Sequence, residues 1–299
     1  MRTFLKAFCL LVFLGVVSPV LAQWPARATP GVPKTADGKP DLTAPAPRTA
    51  DGKPDLSGIW TNNRGAAGQR GGTPANAAPP AAGQQGAGTR GATAVPAAPL
   101  AGPDGMPLAS FRDVGSGFKD GLPLQPWARE LVKKRTADNS KDNPDAHCLP
   151  MGFMQFHTHG EPRKIIQTPG VIVIIYEPNS GLRQIFTDGR TLPSKDAEPW
   201  WYGYSVGKWE GDTLVVETTG LIDNGWLDIN GNPFTNAAKV TERFRRVNFG
   251  TLEIEVTVDD PKAYTRPWTV KVNQRIMLDT ELIEFICEDR DATHYVGAQ

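Results

Sequence analysis

Two histidines, one oddly placed carboxylate and a run of aromatic rings are the groups in this chain with chemistry to offer. His157 and His159 stand two apart in Gln155-Phe-His-Thr-His-Gly160. On a strand that spacing puts both imidazoles on one face, as metal ligands or as a proton-transfer pair. The carboxylate that completes His-x-His metal sets in small barrels comes further along than Glu161, so no metal site is expected. A substrate or proton-transfer role and a purely structural role stay open.

The carboxylate emerges from a hairpin register. Lys239–Val247 and Thr251–Asp259 read as two strands around Asn248-Phe249-Gly250. A three-residue loop, with Gly250 left-handed, sets Arg245 against Glu253 and Arg243 against Glu255 on one face. On the other face Phe244 meets Ile254 and Glu242 meets Val256. A two-residue loop would mix charge with apolar side chains, so the three-residue register is preferred. It leaves Glu242 on the apolar face, where an unpaired charge is costly. Glu242 is therefore paired with an interior arginine such as Arg246 or Arg275, or it is an acid of raised pKa inside a ligand cavity. Glu242, His157 and His159 are the candidate acid and base.

Five of the eight tryptophans fall between Trp200 and Trp268. Trp201, Tyr202, Trp209, Trp226 and Trp268 are candidates for a ligand wall, Trp201 and Tyr202 foremost, although most tryptophans simply fill cores. Asp188-Gly189-Arg190 reads as a turn presenting Arg190, a candidate anion contact. The acids around Asp223 and Asp228 do not follow calcium-loop spacing. There is no Gly-x-Ser-x-Gly elbow, P-loop, His-Glu-x-x-His or dinucleotide fingerprint, and no cofactor is implied.

The elements that must position these groups follow from composition. Residues 1–22 have the basic, apolar and small-residue order of a signal peptide ending at Ala22. Its loss removes Arg2 and Lys6 and no acid, taking the formal charge from 0 to −2. That balance gives no footprint for nucleic acid, and no later stretch is long enough to enter a membrane as a helix. The expected location is periplasmic or secreted. Cys9 leaves with the signal, so Cys148 and Cys287 remain to form a disulfide.

Residues 23–56 read as a Pro/Ala-rich linker containing a duplication, Thr35–Leu42 and Thr49–Leu56. Residues 57–63 form a docking strand, and residues 64–102 form a low-complexity segment expected to be disordered. Residues 103–146 are a helical lead-in, with a helix over 124–138 that presents Trp127, Leu131 and Val132. Residues 147–299 are a run of at least eight strands. Short sequential hairpins predict a mostly β fold: an antiparallel up-and-down β-barrel, lipocalin-like, with one packed helix.

Gly58-x-Trp60 before the barrel is similar to the opening of the lipocalin family. Longer stretches resemble a family of exported bacterial proteins without an assigned activity. These are Asp51-Gly-Lys-Pro-Asp-Leu-Ser-Gly-Ile-Trp60, Cys148-Leu-Pro-Met-Gly152, Asp188-Gly-Arg190, Gly207-Lys-Trp-Glu-Gly-Asp-Thr-Leu-Val-Val216, Thr241-Glu-Arg-Phe-Arg-Arg246 and Asp259–Trp268. The resemblance covers Trp60 and residues 120–299. It implies export and a shared fold, and assigns no catalytic residue. The leading expectation is an exported barrel that binds a small, partly apolar or aromatic ligand in its interior. The alternative is an extracytoplasmic hydrolase, lyase or isomerase acting on a sugar, lactone or aromatic acid in the same cavity. A third is an interaction module with a filled core.

Overall fold

Period-two runs become strands wherever the chain can bury one face, and this chain closes those strands into a barrel. The computed structural model describes residues 28–62 and 100–285. Its strands are β1 (Gly58–Asn62), β2 (Arg163–Thr168), β3 (Val171–Tyr176), β4 (Gly181–Phe186), β5 (Tyr204–Glu210) and β6 (Thr213–Thr219). There follow a small hairpin, β7 (Gly225–Trp226) and β8 (Pro233–Phe234), and then β9 (Lys239–Arg246), β10 (Thr251–Asp259) and β11 (Trp268–Met277). Two α-helices, α1 (Pro126–Ala137) and α2 (Phe153–Thr158), and two short 3-10 turns, Pro144–His147 and Pro178–Ser180, complete the described elements.

The barrel runs β1-β11-β10-β9-β6-β5-β4-β3-β2 and back to β1. Nine strands cannot alternate in direction around a ring, so one neighbouring pair has to be parallel. That pair is β4·β5, joined only at Ile185↔Ser205 and Phe186↔Val206. Residues 187–203 carry the chain back to the starting end, as a parallel pair demands. The remaining neighbours are antiparallel. The purely up-and-down expectation thus holds except at this short seam.

The β9–β10 register is the expected one: Arg245↔Glu253, Phe244↔Ile254, Arg243↔Glu255 and Glu242↔Val256. The reason for Gly250 differs. It is not among the left-handed glycines. A Cβ there would stand 2.7 Å from Leu42 Cβ and 3.0 Å from Leu42 O. Gly250 is small because another part of the chain presses against it.

That part lies in residues 28–56, which composition had grouped with a free linker. Leu42 O accepts from Gly250 N–H and Ala44 O from Phe249 N–H, both at 2.8 Å. The duplicated segments form the same turn: Thr35 N–H bonds Lys39 O, and Thr49 N–H bonds Lys53 O. Gly38 and Gly52 take φ of +80° and +78°, the left-handed region glycine favours. A third copy occurs at Gly102-Pro-Asp-Gly-Met-Pro107, where Gly102 N–H bonds Met106 O and Gly105 has φ +77°. Each turn is pinned near the barrel: the first by Leu42, the second by Arg48–Asp212 at 2.6 Å, the third by Lys271 N–H to Pro107 O at 2.8 Å.

β1 likewise is no accessory strand. It is a full stave between β2 and β11, with Trp60 wholly buried. Helix α1 starts at Pro126 as expected but turns Ala128 inward and leaves Trp127 exposed, its indole N–H on Lys262 O. The run of strands expected over residues 147–299 ends at Met277 among the described residues, and residues 281–285 form no strand. Residues 1–22, read as a signal peptide, most of the low-complexity segment and Cys287 lie outside the described residues.

Candidate functional site

Helix α2 is the element that decides what the barrel contains. All six of its residues are buried. Gly152, just before it, lies so close to β7 that a Cβ would fall 1.8 Å from Trp226 O. Gly152 N–H donates to Gln155 Oε1 at 3.1 Å, satisfying one free amide of the first turn. At the other end the barrel supplies donors for the last carbonyls. Arg163 of β2 donates to His157 O at 2.8 Å and His159 O at 3.1 Å, and Asn62 of β1 donates to Thr158 O at 2.8 Å. A helix this short is marginal alone; here both ends are tied to barrel side chains.

The tethered helix presents His157 to Glu242. His157 Nε2 stands 2.6 Å from Glu242 Oε1, and both side chains are fully buried. Glu242 also accepts a two-pronged contact from Arg183 of β4: Nη1 to Oε1 at 2.9 Å, and Nη2 to Oε2. Arg183 spends its other donors on Ser205 and Thr218, at 3.0–3.2 Å. Ser205 and Thr218, paired across β5 and β6, bond each other at 2.8 Å. Fork geometry of this kind is the strong form of a carboxylate contact.

The electrostatics follow from burial and pairing. Burial alone would raise the Glu242 carboxyl, but Arg183 and then His157 outweigh it and hold the group down at about 2. Burial pushes the His157 imidazole down, against the pull of Glu242. The ionised carboxylate can only accept, so His157 Nε2 carries the hydrogen. In the neutral ring Nδ1 is then a bare acceptor, with no hydrogen-bond partner among the described residues. Glu242 is a poor proton donor in this setting; His157 Nδ1 is the group with capacity left.

The pairing partner departs from expectation. Arg246 is over Trp60, 4.9 Å from the ring centroid, and donates to Asp55 O and Phe249 O. Arg275 is exposed. The sequence of β4 does not mark Arg183 as inward, because the apolar Leu182 and Ile185 fall on opposite faces. In the barrel Leu182 points out and Arg183 points in.

The histidines also part company. α2 replaces the expected strand, so they do not share a face: His159 lies beyond the helix, paired with Glu161 and edge-on to Phe111.

A cavity of about 230 Å³ lies at the β4·β5 seam, where the ladder begins only at Ile185. Pro150, Leu182, Arg183, Gln184 and Trp200–Gly203 line it. Gly203, at φ +64°, turns the aromatic loop into β5, and a Cβ there would stand 2.6 Å from Thr218. Leu149, Leu182 and Trp200 are 45%, 53% and 45% exposed beside or within this lining.

Of the nominated wall residues, Trp201 and Tyr202 line the cavity. Trp268 is buried against Phe118 and Tyr264, Trp226 is buried beneath Arg135, and Trp209 packs partly buried against the core. These three serve packing. Arg190 is outside, 3.9 Å over Phe186 and paired with Asp188. Asp228 fastens its own loop, accepting from the N–H groups of Val114, Gly231 and Asn232 at 2.8–3.0 Å. Among the described residues no cluster of three or more His, Cys, Asp or Glu side chains could hold a metal ion.

No family model, curated protein or solved structure matches this chain.

Proposed function

We propose that the protein is an exported barrel that binds a small, partly apolar or aromatic ligand at the β4·β5 seam. The observation that carries this reading is the cavity of about 230 Å³ framed by Trp200, Trp201, Tyr202 and Leu182. Two features support it. Large apolar side chains left half exposed around one concavity commonly mark a binding site. The buried Arg183–Glu242 pair makes the floor rigid, and rigidity reduces the entropy lost on binding. The volume is below the roughly 300–1,000 Å³ of drug-sized sites, which favours a compact ligand. Because α2 fills much of the barrel, the site is placed at the seam rather than along the barrel axis.

Thermal-shift screening of the mature protein with ring compounds and simple sugars tests the reading. A binder raises the melting temperature in proportion to log concentration, and Leu182→Ala abolishes the shift. If no compound stabilises the protein, or the variant responds like wild type, the seam is not a ligand site. Export is tested separately by the N-terminus of the protein recovered outside the cytoplasm, expected at Gln23.

One observation favours a second reading, an acid–base enzyme. His157 is oriented by Glu242 at 2.6 Å and keeps Nδ1 unengaged, an arrangement suited to proton transfer. Turnover of a lactone or glycoside that disappears in His157→Gln would support it; undiminished turnover in that variant would end it.

A further inference from the structure

We infer that the seam cavity selects an uncharged single ring, such as an aryl alcohol, a phenol or a pyranose face, over the matching carboxylate or ammonium. This rests on the seam-binding reading above and adds the chemical class of its ligand.

The first argument is charge. Arg183 alone among the lining residues carries a formal charge at neutral pH, and its side chain is only 2% exposed. All three of its nitrogens are committed inward, Nε to Ser205, Nη1 to Glu242, and Nη2 to Glu242, Ser205 and Thr218. Glu242 cancels the charge. An incoming carboxylate would have to leave water for a guanidinium already held by a better-placed partner, with little in return.

The second argument separates neutral ligands from cations. Aromatic faces attract ammonium groups, and three rings line this cavity. Yet no acidic side chain lines it, and its single formal charge is positive. A cation would therefore be desolvated beside Arg183 with no anion to meet it. Neutral donors and acceptors are present instead, in the Gln184 amide and the Tyr202 phenol. Burial pushes the Tyr202 phenol up, so it keeps its hydrogen.

The third argument is size. An apolar cavity of about 150 Å³ is enough for benzene, so about 230 Å³ has room for one substituted ring.

Benzyl alcohol, benzoate and benzylammonium share one ring and one carbon of reach and differ in charge. Calorimetric titration of each into the mature full-length protein at neutral pH is the test. Benzyl alcohol should bind about tenfold or more tightly than either ion. Its binding should be lost in both Trp200→Ala and Leu182→Ala and kept in Trp127→Ala, which removes an exposed tryptophan elsewhere. If benzoate or benzylammonium binds as tightly and is lost in the same two variants, the neutral-ligand inference is overturned while seam binding stands. If none of the three binds, or the variants bind like wild type, both fall.

Discussion

Arg183 and Glu242 grip each other across the barrel although their strands are not neighbours: β5 and β6 stand between β4 and β9. The pair therefore ties the seam to the opposite part of the sheet. Seven described groups lie in or around this core, with His157, Ser205, Thr218, Tyr176 and Arg163 beside the pair. Burying two charges is expensive, and the attraction between them offsets that cost only when the geometry is good and the remaining donors are satisfied. Here the donors run to Ser205 and Thr218.

Breaking the pair from one side should cost far more than removing it whole. Glu242→Gln strands a buried guanidinium and is expected to lose about 3–5 kcal/mol of stability. Arg183→Met combined with Glu242→Leu should recover most of that loss. Denaturant midpoints of Arg183→Met, Glu242→Leu and the double variant measure it. Losses that simply add would show that the two side chains do not act as a pair.

Acid should unfold the protein through the same cluster. The folded Glu242 carboxyl lies at about 2, below its ordinary 4.5, so its contribution is complete above about pH 4.5 and fades as the pH falls towards 2. His157 is lowered from 6.5, so protons favour the unfolded chain as the pH drops below that value. Both push the same way. Urea midpoints should fall steadily from about pH 7 to about pH 3. In Arg183→Met/Glu242→Leu the lower part of that slope should flatten.

Gly250→Ala tests whether residues 28–56 belong to the folded unit. The new Cβ would press on the Leu42 backbone at about 3 Å, so the strand or the segment must shift. A loss of about 1–3 kcal/mol is expected, with faster amide exchange at Phe249 and Gly250, whose N–H groups bond that segment. Wild-type stability and unchanged exchange would return 28–56 to the status of a tether.

Cys148 and Cys287 are proposed to be joined. Cys287 is outside the described residues, but the chain leading to it comes back towards Cys148. Ile283 N–H bonds Glu177 Oε2 at 3.0 Å, and Asn179, two residues on, donates to Leu149 O at 3.3 Å. Thiol titration of unreduced, unfolded mature protein should find no reactive cysteine, and reduction should lower stability by a few kcal/mol. Two titratable thiols before reduction would sink the pairing.

Strand identity and register were legible because they depend on neighbours in sequence. The continuous apolar run Val171–Tyr176 forms β3, Gly211 before Asp212 turns at φ +58°, and the sorted charges of Arg243, Arg245, Glu253 and Glu255 pair in the expected register. The anomaly at Glu242 was legible for the same reason. What misled was composition. Pro- and Ala-rich residues 28–56 look like a linker, yet their two Asp-Gly turns fold and meet the barrel, through the Leu42 and Ala44 carbonyls and through Arg48–Asp212, which composition does not report. The third copy, at Gly102–Pro107, shares only Asp-Gly-x-Pro with the others, too little for the sequence to mark it as a repeat.

The sequence by itself determined that this chain makes a barrel and that one carboxylate points into it, since side-chain alternation and hairpin loops are local matters. Only the tertiary structure decided which arginine meets that carboxylate, that His157 arrives on a helix, and where the wall is thinnest. Those outcomes depend on ring closure: an odd number of strands forces one parallel pair, and the location of that pair depends on all nine strands together. Arg183, the aromatic loop and the cavity are gathered at that seam.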